Sequence, residues 1–169
     1  MTEALDSYLV EKYPKIFKNR YSDMKNTAMC WGFEHNDGWF WLIDQLCNSI
    51  QKYIDNNNTY RGDDKKIPQV VATQVKEKYG SLCFYYSGGD SEIDGMVRFA
   101  ETMSSNICER CGTTEDVGST TGWIYVICKD CYEKSTPETS NLIWTPNKCG
   151  TSSDLIKDIR KIKLDKLNK

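Results

Sequence analysis

A chain of 169 residues can bury one substantial core, or one core plus a small metal-held lobe. Its 22 basic and 24 acidic side chains leave a net charge of −2, which speaks against a generic nucleic-acid binder. A hydrophobic fraction of 39% with 12% aromatics suits a globular protein, and the longest apolar runs, Trp39 to Ile43 and Trp123 to Cys128, are far too short to span a membrane.

Residues 3–13 carry Leu5, Tyr8 and Leu9 on one side and meet Pro14, which predicts a short helix. Lys18 to Thr27 is polar and aperiodic, a loop. In the aromatic stretch from Cys30 to Trp39, the residues Asn36, Asp37 and Gly38 lead into a helix with Asp37 as its cap. From Trp39 to Ile54 the apolar residues fall at 39, 42, 43, 46, 47, 50, 53 and 54. Those steps of three and four define the face of a central core helix and leave Phe40 and Trp41 off it.

Asp55 to Lys66 reads as a loop, with Pro68 at its exit. Val70 to Lys76 and Leu82 to Tyr86 predict two strands, joined around Lys78-Tyr79-Gly80-Ser81 as an antiparallel hairpin. Ser87-Gly88-Gly89-Asp90 then turns the chain into a helix over about Ser91 to Ser104. Ser91 and Asp94 have capping-box spacing, and Ile93, Met96, Val97, Ala100 and Met103 mark the buried face.

Two Cys-x-x-Cys pairs, Cys108/Cys111 and Cys128/Cys131, stand sixteen residues apart. Each pair suits a tight turn that grips one metal ion, so together they predict a single four-cysteine zinc site. Four thiolates leave no open coordination position, which makes the expected zinc structural rather than catalytic. Beyond the cysteines, Ser135 to Cys149 reads as an extended segment pinned by Leu142, Ile143 and Trp144. A last helix is expected from Ser152 or Ser153, and six basic residues against three Asp between Asp154 and Lys169 make it locally basic.

The fold expected is α+β: helices packed on a hairpin core over 1–105, a zinc-ribbon or treble-clef lobe over 106–135, and an extended segment with a C-terminal helix on or near the core over 136–169. The other cysteines, Cys30, Cys47, Cys83 and Cys149, are scattered singly, and the N-terminus shows no secretion signal. A reducing cytoplasm is the compartment expected.

The order of motifs resembles an uncharacterised family of small intracellular proteins of bacteriophages and bacterial genomes. The likeness covers about residues 30–132. It is carried by Gly38-Trp39 ahead of Leu42-Ile43, by Val75-Lys76-Glu77-Lys78-Tyr79-Gly80 leading to Phe84-Tyr85, and by the cysteine pairs with Gly122-Trp123 between them. The resemblance implies a phage or prophage origin and supports zinc, but implies no activity. The chain departs from that pattern at His35 and after residue 135.

Glu34, His35 and Asp37 beside Cys30 have the residue types of an acid/base cluster, set against capping plus a surface histidine. Trp31, Phe33, Trp39, Phe40 and Trp41 are too dense for one helix face, so Trp31, Phe40 and Trp41, with Glu34, His35 and Asp37, make a candidate protein-contact set. Lys76, Lys78, Tyr79 and Lys129 are the candidates for nucleic-acid contact, with the tyrosine stacking on bases. The function expected is an adaptor or inhibitor that binds a host protein. The alternative is a zinc-dependent nucleic-acid-binding regulator, and the third reading an enzyme built on Glu34, His35 and Asp37.

Overall fold

The computed structural model describes residues 1–135 and 142–147. Helix α1, Glu3–Lys12, ends ahead of Pro14 and buries Asp6 and Leu9. The Asp6 carboxylate meets Arg20 in a two-point ion pair at 2.9 and 3.0 Å, and the same guanidinium reaches the Cys30 carbonyl at 2.9 Å. The pair presses against Gly32, where a Cβ would lie 2.7 Å from the carboxylate. Ahead of the central helix, residues 37–39 form a single 3-10 turn.

Helix α2, Phe40–Asn58, buries Ile43, Leu46, Cys47, Ile50 and Ile54, as its apolar spacing requires. It runs four residues beyond the expected end at Ile54. Asn58 carries the closing contacts there, its amide bonding the Ile67 backbone at both N–H and carbonyl. Asp37 does not cap this helix: its carboxylate accepts the Thr2 N–H at 2.6 Å instead. Asp44, buried on α2, accepts from Lys12 Nζ at 2.7 Å and from the Tyr13 hydroxyl at 2.9 Å, which ties α1 to α2. Burial, followed by the Asp44 carboxylate, pushes the Tyr13 hydroxyl up to about 12.

The first sheet has the order β1, β2, β3. Strands β2, Val71–Lys78, and β3, Ser81–Ser87, make the expected antiparallel hairpin, while β1, Phe33–Glu34, adds a parallel edge with Phe33 opposite Val75. Tyr79 and Gly80 both have positive φ, 52° and 76°, the two-residue turn that matches strand twist. Helix α3, Ser91–Ser104, is capped by Asp90, which accepts the Ile93 N–H at 3.2 Å, so the cap is one residue ahead of the expected Ser91. It covers the free edge of β3: the Leu82 N–H bonds Ser104 Oγ and the Phe84 N–H bonds Glu101, each at 2.9 Å. Ile93, Val97 and Ala100 face the core, whereas Met96 and Met103 are only half-buried.

A second, smaller apolar cluster centres on Cys108, Val117, Val126, Ile127 and Cys128. Here β4, Val117–Thr120, pairs on one side with β5, Val126–Cys128, and on the other with β6, Trp144–Pro146, and α4, Lys129–Glu133, follows β5 directly. Trp144 lays its ring over Gly118 and donates from Nε1 to the Ile127 carbonyl at 2.9 Å, making part of the expected extended segment a strand. The architecture is α+β, and no helix among the described residues is long and apolar enough to cross a membrane. The helix expected after residue 151 lies outside the described residues.

Candidate metal centre and the cleft beside it

Cys108 and Cys111 stand on a tight knuckle closed by the Gly112 N–H to the Cys108 carbonyl at 2.8 Å, with Gly112 in the left-handed region at φ 79°. Cys128 ends β5 and caps α4, and Cys131 lies in the first turn of that helix. Knuckle, hairpin and helix N-terminus follow one another in treble-clef order; a zinc ribbon would place the second pair on another knuckle. Backbone bonds from Glu109 N–H to Val126 and from Lys129 N–H to Asp116 fasten the knuckle and the helix to the hairpin.

The four sulfurs all lie within 4.8 Å of one another, and Cys111 and Cys128 are 3.7 Å apart. A tetrahedral ion with metal–sulfur bonds of about 2.3 Å separates its ligands by about 3.8 Å, so the donors fit one metal ion, and four thiolates suit zinc or iron. Burial, followed by the adjoining thiols, pushes Cys131 up, and burial likewise raises Cys128. Burial acts on Cys108 too, but the backbone N–H groups of Cys111, Cys128 and Arg110 outweigh it and hold that thiol low. Four sulfurs this close ionise together only around a cation.

The knuckle is docked on the core through the motif that opens α2. The Gly38 N–H donates to the Glu109 carbonyl at 2.7 Å, and a Cβ on Gly38 would lie 2.1 Å from the Cys108 carbonyl oxygen. Trp39, fully buried, donates from Nε1 to the Ile107 carbonyl at 3.0 Å. The Asn36 backbone and side chain both donate to Glu109 Oε1, at 3.0 and 2.9 Å. Gly38-Trp39 is therefore a seat for the metal lobe. The sequence signalled it only as an unusual Gly-Trp, because both partners come from residues seventy positions away.

Glu34, His35 and Asp37 do not converge. Glu34 accepts from Gln74 at 2.8 Å, Asp37 is engaged by Thr2, and His35 is 6% exposed, which corrects the expected surface histidine. Its Nδ1 donates to the Asn36 carbonyl at 2.7 Å, its ring lies against Phe33 and Trp39, and burial pulls its pKa down to about 4. Of the six candidate protein-contact residues, Trp31 and Trp41 are exposed, whereas Phe40 is half-buried against Tyr8.

Three of the four candidate nucleic-acid contacts do come together. Lys76, Lys78 and Tyr79 line a cleft of about 490 Å³ with Glu77, and its other wall is Gly122, Trp123 and Ile124 from the β4–β5 loop. Tyr79 is 79% exposed and Trp123 67% exposed, so two large rings stand at this junction without burial. Lys129 lies outside the cleft lining, on α4, where it faces Glu133. In the sequence Trp123 stands out only as the start of an apolar run and as part of Gly122-Trp123; its exposure follows from its place in the loop between β4 and β5. Comparison with family models, with curated proteins and with solved structures gave no match.

Proposed function

We propose that the chain is a zinc-stabilised, intracellular protein-binding module. Cys108, Cys111, Cys128 and Cys131 hold one structural zinc ion, which fixes the β4–β5 loop and with it Trp123 opposite Tyr79. Zinc bound by four thiolates is a closed site, so its contribution is to folding and position. The partner is a protein segment that brings acidic side chains around an apolar or aromatic anchor. Lys76 and Lys78 suit the acids, while Tyr79, Trp123 and Ile124 suit the anchor.

The observation that carries this reading is Tyr79. A bulky residue holds a left-handed backbone conformation at a hairpin tip, where glycine or asparagine costs less, and yet its ring is exposed rather than packed. Local strain retained for an exposed aromatic is a mark of a contact surface. The phage or prophage origin implied by the motifs makes a host protein the natural partner, bound by an adaptor or inhibitor.

A single-stranded nucleic acid is the second reading, favoured by the same convergence of Lys76, Lys78, Tyr79 and Trp123. Glu77 in the cleft and the acidic excess of the chain weigh against it. Affinity capture from host lysate by the zinc-loaded chain separates the two. A stoichiometric protein should survive nuclease and be lost with Trp123→Ala while remaining with Trp31→Ala. Capture of nucleic acid alone, released steeply by salt, would overturn the proposal.

A further inference from the structure

Strand β2 enters the cleft with its side chains alternating between two faces. Val75 is buried, while Lys76 and Lys78 stand on the other face, opposite Cys83 and Ser81 across the hairpin. Two residues of strand set their points of departure about 6.8 Å apart. Lys76 holds its ammonium over the Tyr85 ring at 5.8 Å and Lys78 over the Tyr79 ring at 5.5 Å. Among the described residues neither meets a carboxylate in an ion pair, and Glu77 between them accepts the Gly80 N–H at 2.7 Å. An ammonium resting on an exposed ring is held only weakly, so both charges are open to a carboxylate arriving from outside.

The two walls of the cleft meet at the hairpin tip. A Cβ on Gly80 would lie 2.7 Å from Ile124 Cγ2, so the tip touches the β4–β5 loop there. From that contact the cleft opens back along four successive residues, Lys76 to Tyr79, with Gly122 to Ile124 as the opposite wall. A helix with its side chains is about 10–12 Å across and cannot follow walls that converge to contact, whereas an extended chain lies beside a neighbouring strand at about 4.8 Å.

We propose that the cleft takes an extended protein segment lying along β2, with two carboxylates one residue apart and an apolar or aromatic residue at the closed end between Tyr79 and Trp123. This rests on the protein-binding reading of the cleft and adds the conformation and the spacing of what is bound. An extended chain repeats its side chains on one face at every second residue, the same interval of about 6.8 Å that separates Lys76 from Lys78. Acids at adjacent positions point to opposite faces of such a segment, so only one of them reaches a lysine. A helix instead brings together residues three or four apart.

Fluorescence anisotropy of short labelled peptides with the zinc-loaded full chain tests the assignment. The peptides share one composition, two Asp and one Trp among Ser and Thr, and differ in order: Asp residues one residue apart with Trp two positions beyond, the reverse of that order, Asp residues adjacent, and Asp residues four positions apart. One of the two alternating peptides should bind about tenfold more tightly than the adjacent and the four-apart peptides. Lys76→Gln and Lys78→Gln should each remove that preference, and Trp123→Ala should weaken all four alike. Equal affinity for all four would overturn the extended segment and leave the protein-binding reading standing, as would tightest binding of the four-apart peptide, which marks a helix. Binding of none, beside lysate capture still lost with Trp123→Ala, would overturn this inference alone. Capture indifferent to Trp123→Ala, or a thymidine oligonucleotide that displaces the best peptide at lower concentration, would overturn the underlying reading with it.

Discussion

Tyr79 sits at φ 52° on a hairpin tip, and relieving that backbone should strengthen the fold while removing a contact ring. Tyr79→Asn is expected to stabilise the protein by up to about 1 kcal/mol in chemical denaturation and to weaken partner capture. A variant that lost stability would show that the ring packs in a way its exposure does not reveal. His35 makes the opposite kind of statement. Its pKa of about 4 lies below the ordinary value because the ring is buried, so the unfolded chain takes up the proton first as pH falls. The Asn36 carbonyl, Asp37 and Asp6 work against that depression and the N-terminal amine adds to it. The stabilising contribution of neutral His35 is thus complete above about pH 6.5 and lost as pH falls toward 4, on the order of 3 kcal/mol. Stability measured against pH should fall less steeply over that window in His35→Gln than in the parent; parallel curves would refute the assignment. At this scale the sequence was a poor guide. A histidine between Glu34 and Asn36 reads as polar surface, and its burial comes from Phe33 and Trp39 closing over it.

Elements with their own periodicity were legible before the structure: the apolar steps of α2, the alternating hairpin and the face of α3 all appear within four residues of their expected limits. What escaped has no local signature. The parallel strand β1 is two residues long, and its pairing with Val75 and Lys76 is fixed by tertiary contacts. Asp44 looked like a polar position on a helix, but it is the buried acceptor that ties α1 to α2. The cysteine pairs were fully legible because metal spacing is itself local, whereas their seat on Gly38 was not. Gly38→Ala drives a methyl group into the Cys108 carbonyl and should cost about 3 kcal/mol or more, with weakened zinc retention on titration against a chelator. An unchanged chelator midpoint would mean that the lobe does not need its seat.

At the largest scale, the described residues join a sheet-and-helix core to a four-cysteine lobe through the Gly38-Trp39 junction, and the cleft between Tyr79 and Trp123 has one wall from each. Metal binding at four thiolates contributes on the order of 10 kcal/mol to a small lobe's folding, so removing it should open residues 108–135 while the larger core, from Leu9 to Ile107, stays folded. Partner capture should disappear together with the lobe. Native mass spectrometry of the full chain before and after a chelator is the most direct check. The expected result is one zinc ion per compact chain, followed after chelation by metal-free chains whose charge states shift partway toward those of an unfolded protein. A chain that carries no metal, or one whose compact charge states do not change when zinc is stripped, would contradict the claim that zinc holds the cleft together.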